Sequence, residues 1–158
     1  MDWFNLYGAI FIVIVLIPNL FAAFYEANGS SDLWKNKAVE AIEWIGRVGS
    51  MIFMAFNVPG TYCGFWFDGG LIVYLVGGGI LLLLYCLSWV LFWKKHGMAR
   101  AIALSVIPTI LFLFCGIILL SALLIGAAVL FGIGHIAISV KNEKARVKKE
   151  GNPSAEQA

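Results

Sequence analysis

From Ala101 to Val140 the chain runs for 40 residues without a single Asp, Glu, Lys or Arg. As one helix this run would be about 60 Å long, twice the roughly 30 Å thickness of a bilayer's hydrocarbon core. It has to fold back as a helical hairpin, because in lipid each spanning segment must satisfy its own backbone N–H and C=O groups. The turn is expected near Cys115–Ser121, which gives helices over about 98–114 and about 121–140. Pro108 should bend the first of these, and Gly126 with the Gly132/Gly134 pair suits the second to tight packing.

The remaining sequence has the same character. Hydrophobic residues make up 61% of the 158 and charged residues 13%, too much apolar surface for a soluble domain of this size to hide. A first helix is expected over about 4–25; it lacks both a Lys/Arg-rich leader and a small-x-small cleavage site, so it reads as retained. Pro18-Asn19 should kink it, with Asn19 either satisfying the freed backbone or facing a cavity. Ser30, Ser31 and Asp32 are candidate N-caps for the second helix, and the glycosylation-type triplet Asn28-Gly29-Ser30 reads as chance.

That second helix has two possible frames. It spans either about 38–57, stopping at Val58-Pro59-Gly60, or about 45–67 through a kink at Pro59. The Pro-Gly punctuation favours the first, which leaves Tyr62, Phe65, Trp66 and Phe67 as an interfacial aromatic belt and Asp68 as a turn residue. A third helix over about 71–93 carries Gly77-Gly78-Gly79, read as a close-packing site and the natural contact of any homodimer.

Charge sets the orientation. Lys35 and Lys37, then Lys94, Lys95 and Arg100, then Lys141, Lys144, Arg146, Lys148 and Lys149 fall in the first loop, the third loop and the tail. The positive-inside rule then predicts an all-α integral membrane protein, a bundle of five transmembrane helices within residues 1–140. Its amino terminus is outside and its carboxyl terminus cytoplasmic, in a bacterial cytoplasmic membrane. The tail 141–158 is expected to be basic and then, beyond about residue 149, disordered.

In outline, by helix number, length and an outside amino terminus, the chain resembles the bacterial tryptophan-rich sensory/translocator proteins. The stretch "EANGSSDLWKNKAVEAIEW" has no counterpart of their tryptophan- and proline-rich signature, so no family is assigned on it.

Candidate chemistry concentrates at the head of the second helix. At about 100° per residue, Glu40, Glu43, Arg47, Ser50, Met54 and Asn57 fall in one sector, a polar stripe that should face protein or water and not lipid. Glu43 and Arg47 stand at i, i+4, with Glu40 one turn away. Near the bilayer centre an unpaired charge costs on the order of 3 kcal/mol, so Arg47 needs a partner. Asn19 and His135 are the other candidate site residues, whereas His96 belongs to the basic loop. One Arg against two Glu would favour a cationic or protonatable ligand. Cys63, Cys86 and Cys115 have no metal-ligand spacing; Cys63 and Cys115 are a candidate outer-face disulfide.

No zinc, hydrolase or phosphate-binding motif is present, so catalysis is disfavoured, and no metal or cofactor is expected. The leading expectation is a small multi-pass protein binding or transporting a small solute through a polar cavity. The alternatives are an accessory or scaffold subunit, and an intramembrane lipid-modifying enzyme with Glu40 or Glu43 as base and His135 as proton carrier. Expected partners are membrane lipid, for which the basic tail is suited, and a second copy or a larger membrane complex; nothing suggests nucleic acid.

Overall fold

In the computed structural model, residues 3–26, 34–93 and 97–150 are described. They form five helices: α1 (Leu6–Glu26), α2 (Lys37–Ala55), α3 (Gly70–Leu91), α4 (Met98–Ile118) and α5 (Ala122–Glu150). Among the described residues no strand forms; Phe4–Phe56 and Tyr62–Ser121 make isolated bridge pairs. Ser30, Ser31, Asp32, Lys94, Lys95, His96 and the tail beyond Glu150 lie outside the described residues.

The second helix takes the shorter frame. Phe56 turns extended, with φ −120° and ψ 123°, and its N–H makes the last helical bond, to the Ile52 carbonyl. The cap at the other end is Asn36, whose side-chain oxygen accepts the Ala38 and Val39 N–H groups at 3.1 and 3.4 Å. The fifth helix, in contrast, outruns its apolar segment and carries Lys141–Lys149 on regular helix. Its 29 residues amount to about 43 Å, so its last turns extend beyond a 30 Å core.

Helix α4 runs on to Ile118 through Pro108 without breaking. The Ser105 and Thr109 hydroxyls bond back to the carbonyls of Ala101 and Ser105, at 2.7 and 2.8 Å. The α4–α5 turn is a Schellman cap. Ser121 N–H reaches the Gly116 carbonyl at 2.9 Å and Leu120 N–H the Ile117 carbonyl at 3.1 Å, with Leu120 in the left-handed position at φ 46°.

The helices pack in the cyclic order α1, α2, α5, α4, α3 and back to α1, with the α2–α5 seam the most extensive contact. At one end the chain is stitched by backbone bonds: Asn5 N–H to Ala55 O, Asn57 N–H to Trp3 O, Gly64 N–H to Leu119 O and Ala122 N–H to Thr61 O. Here the core holds Phe11 stacked on Tyr74 at 5.6 Å, and the Tyr74 hydroxyl accepts from Asn5 Nδ2 at 3.2 Å. The aromatic loop is partly inserted, with Phe65 edge-on to Tyr74 at 5.9 Å while Trp66 stays exposed. The other end is the basic one. There Asn142 Oδ1 accepts the Trp34 N–H at 2.9 Å and the Lys141 ammonium lies 4.3 Å from the Trp34 ring.

Three helices, α3, α4 and α5, are long and apolar enough to cross a membrane. Large apolar side chains such as Ile10, Val13, Ile17, Val76, Leu83 and Val90 stay exposed on the outer surface of the bundle, where lipid would solvate them. In α1 the apolar run is the shorter Leu6–Phe21.

The Gly77-Gly78-Gly79 run is a close-packing site, but for aromatic side chains and not for a neighbouring backbone. A Cβ at Gly77 would meet the Phe114 ring and one at Gly78 the Phe11 ring, whereas Gly79 faces open space. The first two glycines are sockets for aromatic rings of α4 and α1, and so are already filled by the chain itself.

Candidate functional site

Close approach of backbones occurs at the α2–α5 seam. A Cβ at Gly46 would collide with the backbone nitrogen of Phe131, and one at Gly134 would lie 2.6 Å from Glu43 Cβ and 2.7 Å from its Cα. With no side chain at either glycine, the two helices touch along their main chains. That contact brings α2's carboxylate to α5's imidazole.

Glu43 is 8% exposed. Its Oε1 accepts a hydrogen bond from Arg47 Nη2, one turn along the same helix, and lies 3.2 Å from His135 Nδ1, where an Nδ1–H would donate to it. Three of the predicted site residues therefore meet at one oxygen. The His135 ring stacks on Phe131 at 4.8 Å, and the Arg47 guanidinium lies 6.0 Å from the same Phe131 ring. Phe131 thus lies against both the imidazole and the guanidinium.

Depth follows from helix geometry. Glu43 lies six residues beyond Lys37 and His135 six residues before Lys141. Both are therefore about 9 Å along their helices from a basic residue at the basic end. Arg47 has its Cα one turn deeper, but side chains lean toward a helix's amino terminus, which returns the guanidinium to the level of Glu43.

Among the described residues, the site is closed on one side only. In the first half of α2 the buried residues are Glu43 and Gly46, both against α5. Toward the far end Ala55 and Met54 also meet α1, through Asn5 and Gly8. Glu40, Trp44, Arg47 and Met51 share the side of α2 that continues from that α1 contact; the first three are exposed and Met51 is half-buried. The Arg47 side chain is accordingly 45% exposed although its charge is paired.

The other candidates divide. Ser50 is fully buried one turn deeper, and among the described residues its hydroxyl has no hydrogen-bond partner. Asn19 bridges helices: its Nδ2 donates to the Val15 carbonyl at 3.0 Å, and its Oδ1 accepts from the Tyr85 hydroxyl at 2.9 Å. It ties α1 to α3; the carbonyl it bonds is Val15's, not the Ile14 carbonyl that Pro18 leaves without its usual donor. Tyr85, buried in the core, is the other half of that bridge. Tyr85 was not among the residues singled out from the sequence; a lone tyrosine in an apolar run carries no signal of its partner.

Glu40 does not join the cluster. Its Oε1 accepts the Asn36 N–H at 3.2 Å, closing the helix cap, because the orphan amides of the first turn are nearer than Arg47 two turns on. Asn57 lies at the opposite end, its N–H on the Trp3 carbonyl. The expected bridge between Cys63 and Cys115 does not form. Both are free thiols, Cys63 exposed on the loop and Cys115 buried on the core face of α4. Among the described residues no group of three or more His, Cys, Asp or Glu could hold a metal ion.

With Glu40 assigned to the cap, the cluster loses its negative excess. The cluster holds one carboxylate, one guanidinium and one imidazole, so it is neutral with His135 neutral and carries one positive charge with His135 protonated. The two-acid excess that would have favoured a cation is gone. No family model matches this chain, and neither a curated protein nor a solved structure does.

Proposed function

We propose that the protein spans a membrane five times, amino terminus outside and carboxyl terminus in the cytoplasm, and binds a small solute at Glu43, Arg47 and His135 in the cytoplasmic half. The similar lengths of α1 to α4, 21, 19, 22 and 21 residues, support the five-span reading, since each matches a core of about 30 Å. The basic residues gathered at one end support the orientation.

The observation that carries the site is Arg47: its charge is paired at membrane depth, yet nearly half of its side chain is open. Lipid is a poor neighbour for a guanidinium, so water or a ligand meets it there. A guanidinium has five N–H donors, and the pairing with Glu43 leaves others directed at the opening. The ligand group that fits is an acceptor, a carboxylate or another oxyanion, with Glu43 holding the guanidinium in place and His135 supplying a proton-dependent second charge.

Cysteine accessibility tests this. In a background lacking Cys63, Cys86 and Cys115, single cysteines across 40–57 are treated with a charged thiol reagent from each side. Labelling from the cytoplasmic side at 40, 44, 47 and 51, with 46, 50 and 54 silent, is the expected pattern of a wet opening beside α1. Silence at 47 and 51 would mean a dry seam. The solute site would then be abandoned for an accessory role in which α2 docks on another membrane protein.

A further inference from the structure

On the far side of α5 from α2, an open groove of about 550 Å³ runs between α4 and α5. Its walls are apolar: Leu113 from α4, and Val129, Ile133, Ile136 and Val140 from α5. The polar side chain in its floor, Thr109, spends its hydroxyl on the Ser105 carbonyl at 2.8 Å. Gly132 is why the two helices lie close here, since a Cβ at that position would sit 2.5 Å from Thr109 Cγ2. The groove's upper end differs in kind. Lys141 and Lys144 line its mouth, one helical turn apart, and Trp34 holds the Lys141 ammonium at 4.3 Å from its ring.

Length and charge together select an occupant. From Val129 to Val140 the apolar wall rises about 16 Å, close to half of a 30 Å hydrocarbon core, so it matches a single leaflet. The lysines then stand at headgroup level in that leaflet. We infer that this groove is a binding site for one anionic phospholipid, one of its two acyl chains along Leu113, Ile133 and Ile136 and its phosphate between Lys141 and Lys144. The solute site faces α1 across the bundle, so the two are separate and the lipid site stands or falls without it. What the groove requires is only that α4 and α5 cross the bilayer.

The test uses the full chain purified in detergent with added phosphatidylglycerol or phosphatidylcholine, counting retained lipids by native mass spectrometry. One phosphatidylglycerol per chain should be retained, and phosphatidylcholine much more weakly. Lys141→Gln/Lys144→Gln should weaken phosphatidylglycerol about thirtyfold, taking about fivefold per basic group near a headgroup. Lys148→Gln/Lys149→Gln removes the same charge beyond the groove and should change retention less than threefold. Equal losses in the two double variants would reduce the effect to a general basic surface and overturn the site. Ala137→Trp fills the groove without touching charge and should abolish the tight phosphatidylglycerol. Full retention in that variant, with a native helical spectrum, would remove the acyl chain from the groove. Should Ala137→Trp misfold, Ile136→Ser makes the same test on the wall, with an expected loss of about fivefold; undiminished retention there would equally overturn the site.

Discussion

Glycine is used in opposite ways on two faces of this bundle. At the α2–α5 seam Gly46 and Gly134 remove side chains so that one main chain lies against the other. On α3, Gly77 and Gly78 remove side chains so that the Phe114 and Phe11 rings can enter. The first arrangement is rigid, because a backbone cannot step aside without moving its helix. It is also what lets a short carboxylate side chain reach an imidazole on the neighbouring helix. The second is accommodating, since a ring can rotate or be shortened, and it brings only apolar groups together. The polar site lies on the rigid contact.

The largest effect should come from breaking the rigid contact. Gly46→Ala would place a methyl against the Phe131 backbone. It should cost about 3 kcal/mol or more, at the upper end of overpacking effects. Gly78→Ala meets the edge of the Phe11 ring and should cost about 1 kcal/mol. The two separate most clearly in rescue. Phe11→Leu should restore part of the loss in Gly78→Ala, whereas no single side-chain truncation should restore Gly46→Ala. Reversible unfolding of the full chain in mixed micelles reads these variants. Equal costs for the two alanines would mean that the seam gives way as readily as the ring sockets, and the contrast would collapse.

Next in size is the contrast between the two acids of α2. Glu43→Ala leaves Arg47 and His135 without their shared acceptor. Breaking a fully buried pair costs about 3–5 kcal/mol; with Arg47 half exposed, about 2 kcal/mol is the reasonable expectation. Glu40→Ala loses a contact to one capping amide and should cost about 0.5 kcal/mol. The unfolding assay decides between them. A Glu40→Ala loss matching that of Glu43→Ala would put Glu40 back into the cluster and restore the negative excess.

Much of this was legible in the chain because hydrophobic periods and charge positions are local signals. The uncharged run of 40 residues demanded a hairpin, and the structure turns at Leu119–Ser121, inside the expected window. Pro59-Gly60 placed the end of α2, which falls at Ala55. The pairing of Glu43 with Arg47 was readable from i, i+4 spacing. The contact with His135 could be posed only as matching depth, since helix order and rotation about the axis are not written in any one segment. Glu40 misled for a related reason: on a helical wheel it shares the stripe, but a wheel shows neither the free amides of the first turn nor Asn36 as the cap. Tyr85 and the α4–α5 groove were invisible, because apolar runs look alike until it is known which neighbour covers which side.

The smallest predicted effect concerns a residue where glycine is absent although the backbone would suit it. Leu120 occupies the left-handed position of the Schellman cap at φ 46°, a conformation that costs a side-chain-bearing residue roughly 1–2 kcal/mol. Leu120→Gly would relieve that strain. Against it stand the extra freedom of glycine in the unfolded chain, about 0.5–1 kcal/mol, and the loss of a side chain that is 40% exposed. The net change should fall within about 1 kcal/mol of zero. Leu119→Gly, one residue earlier at φ −89° and fully packed, gains no relief and should lose about 3 kcal/mol or more. This turn carries the chain from α4 into α5 and so sets the height at which His135 meets Glu43. A loss above about 2 kcal/mol in Leu120→Gly would mean that the leucine side chain is held by a contact strong enough to enforce the strained backbone. The height of α5 would then depend on that side chain and not on the seam glycines alone.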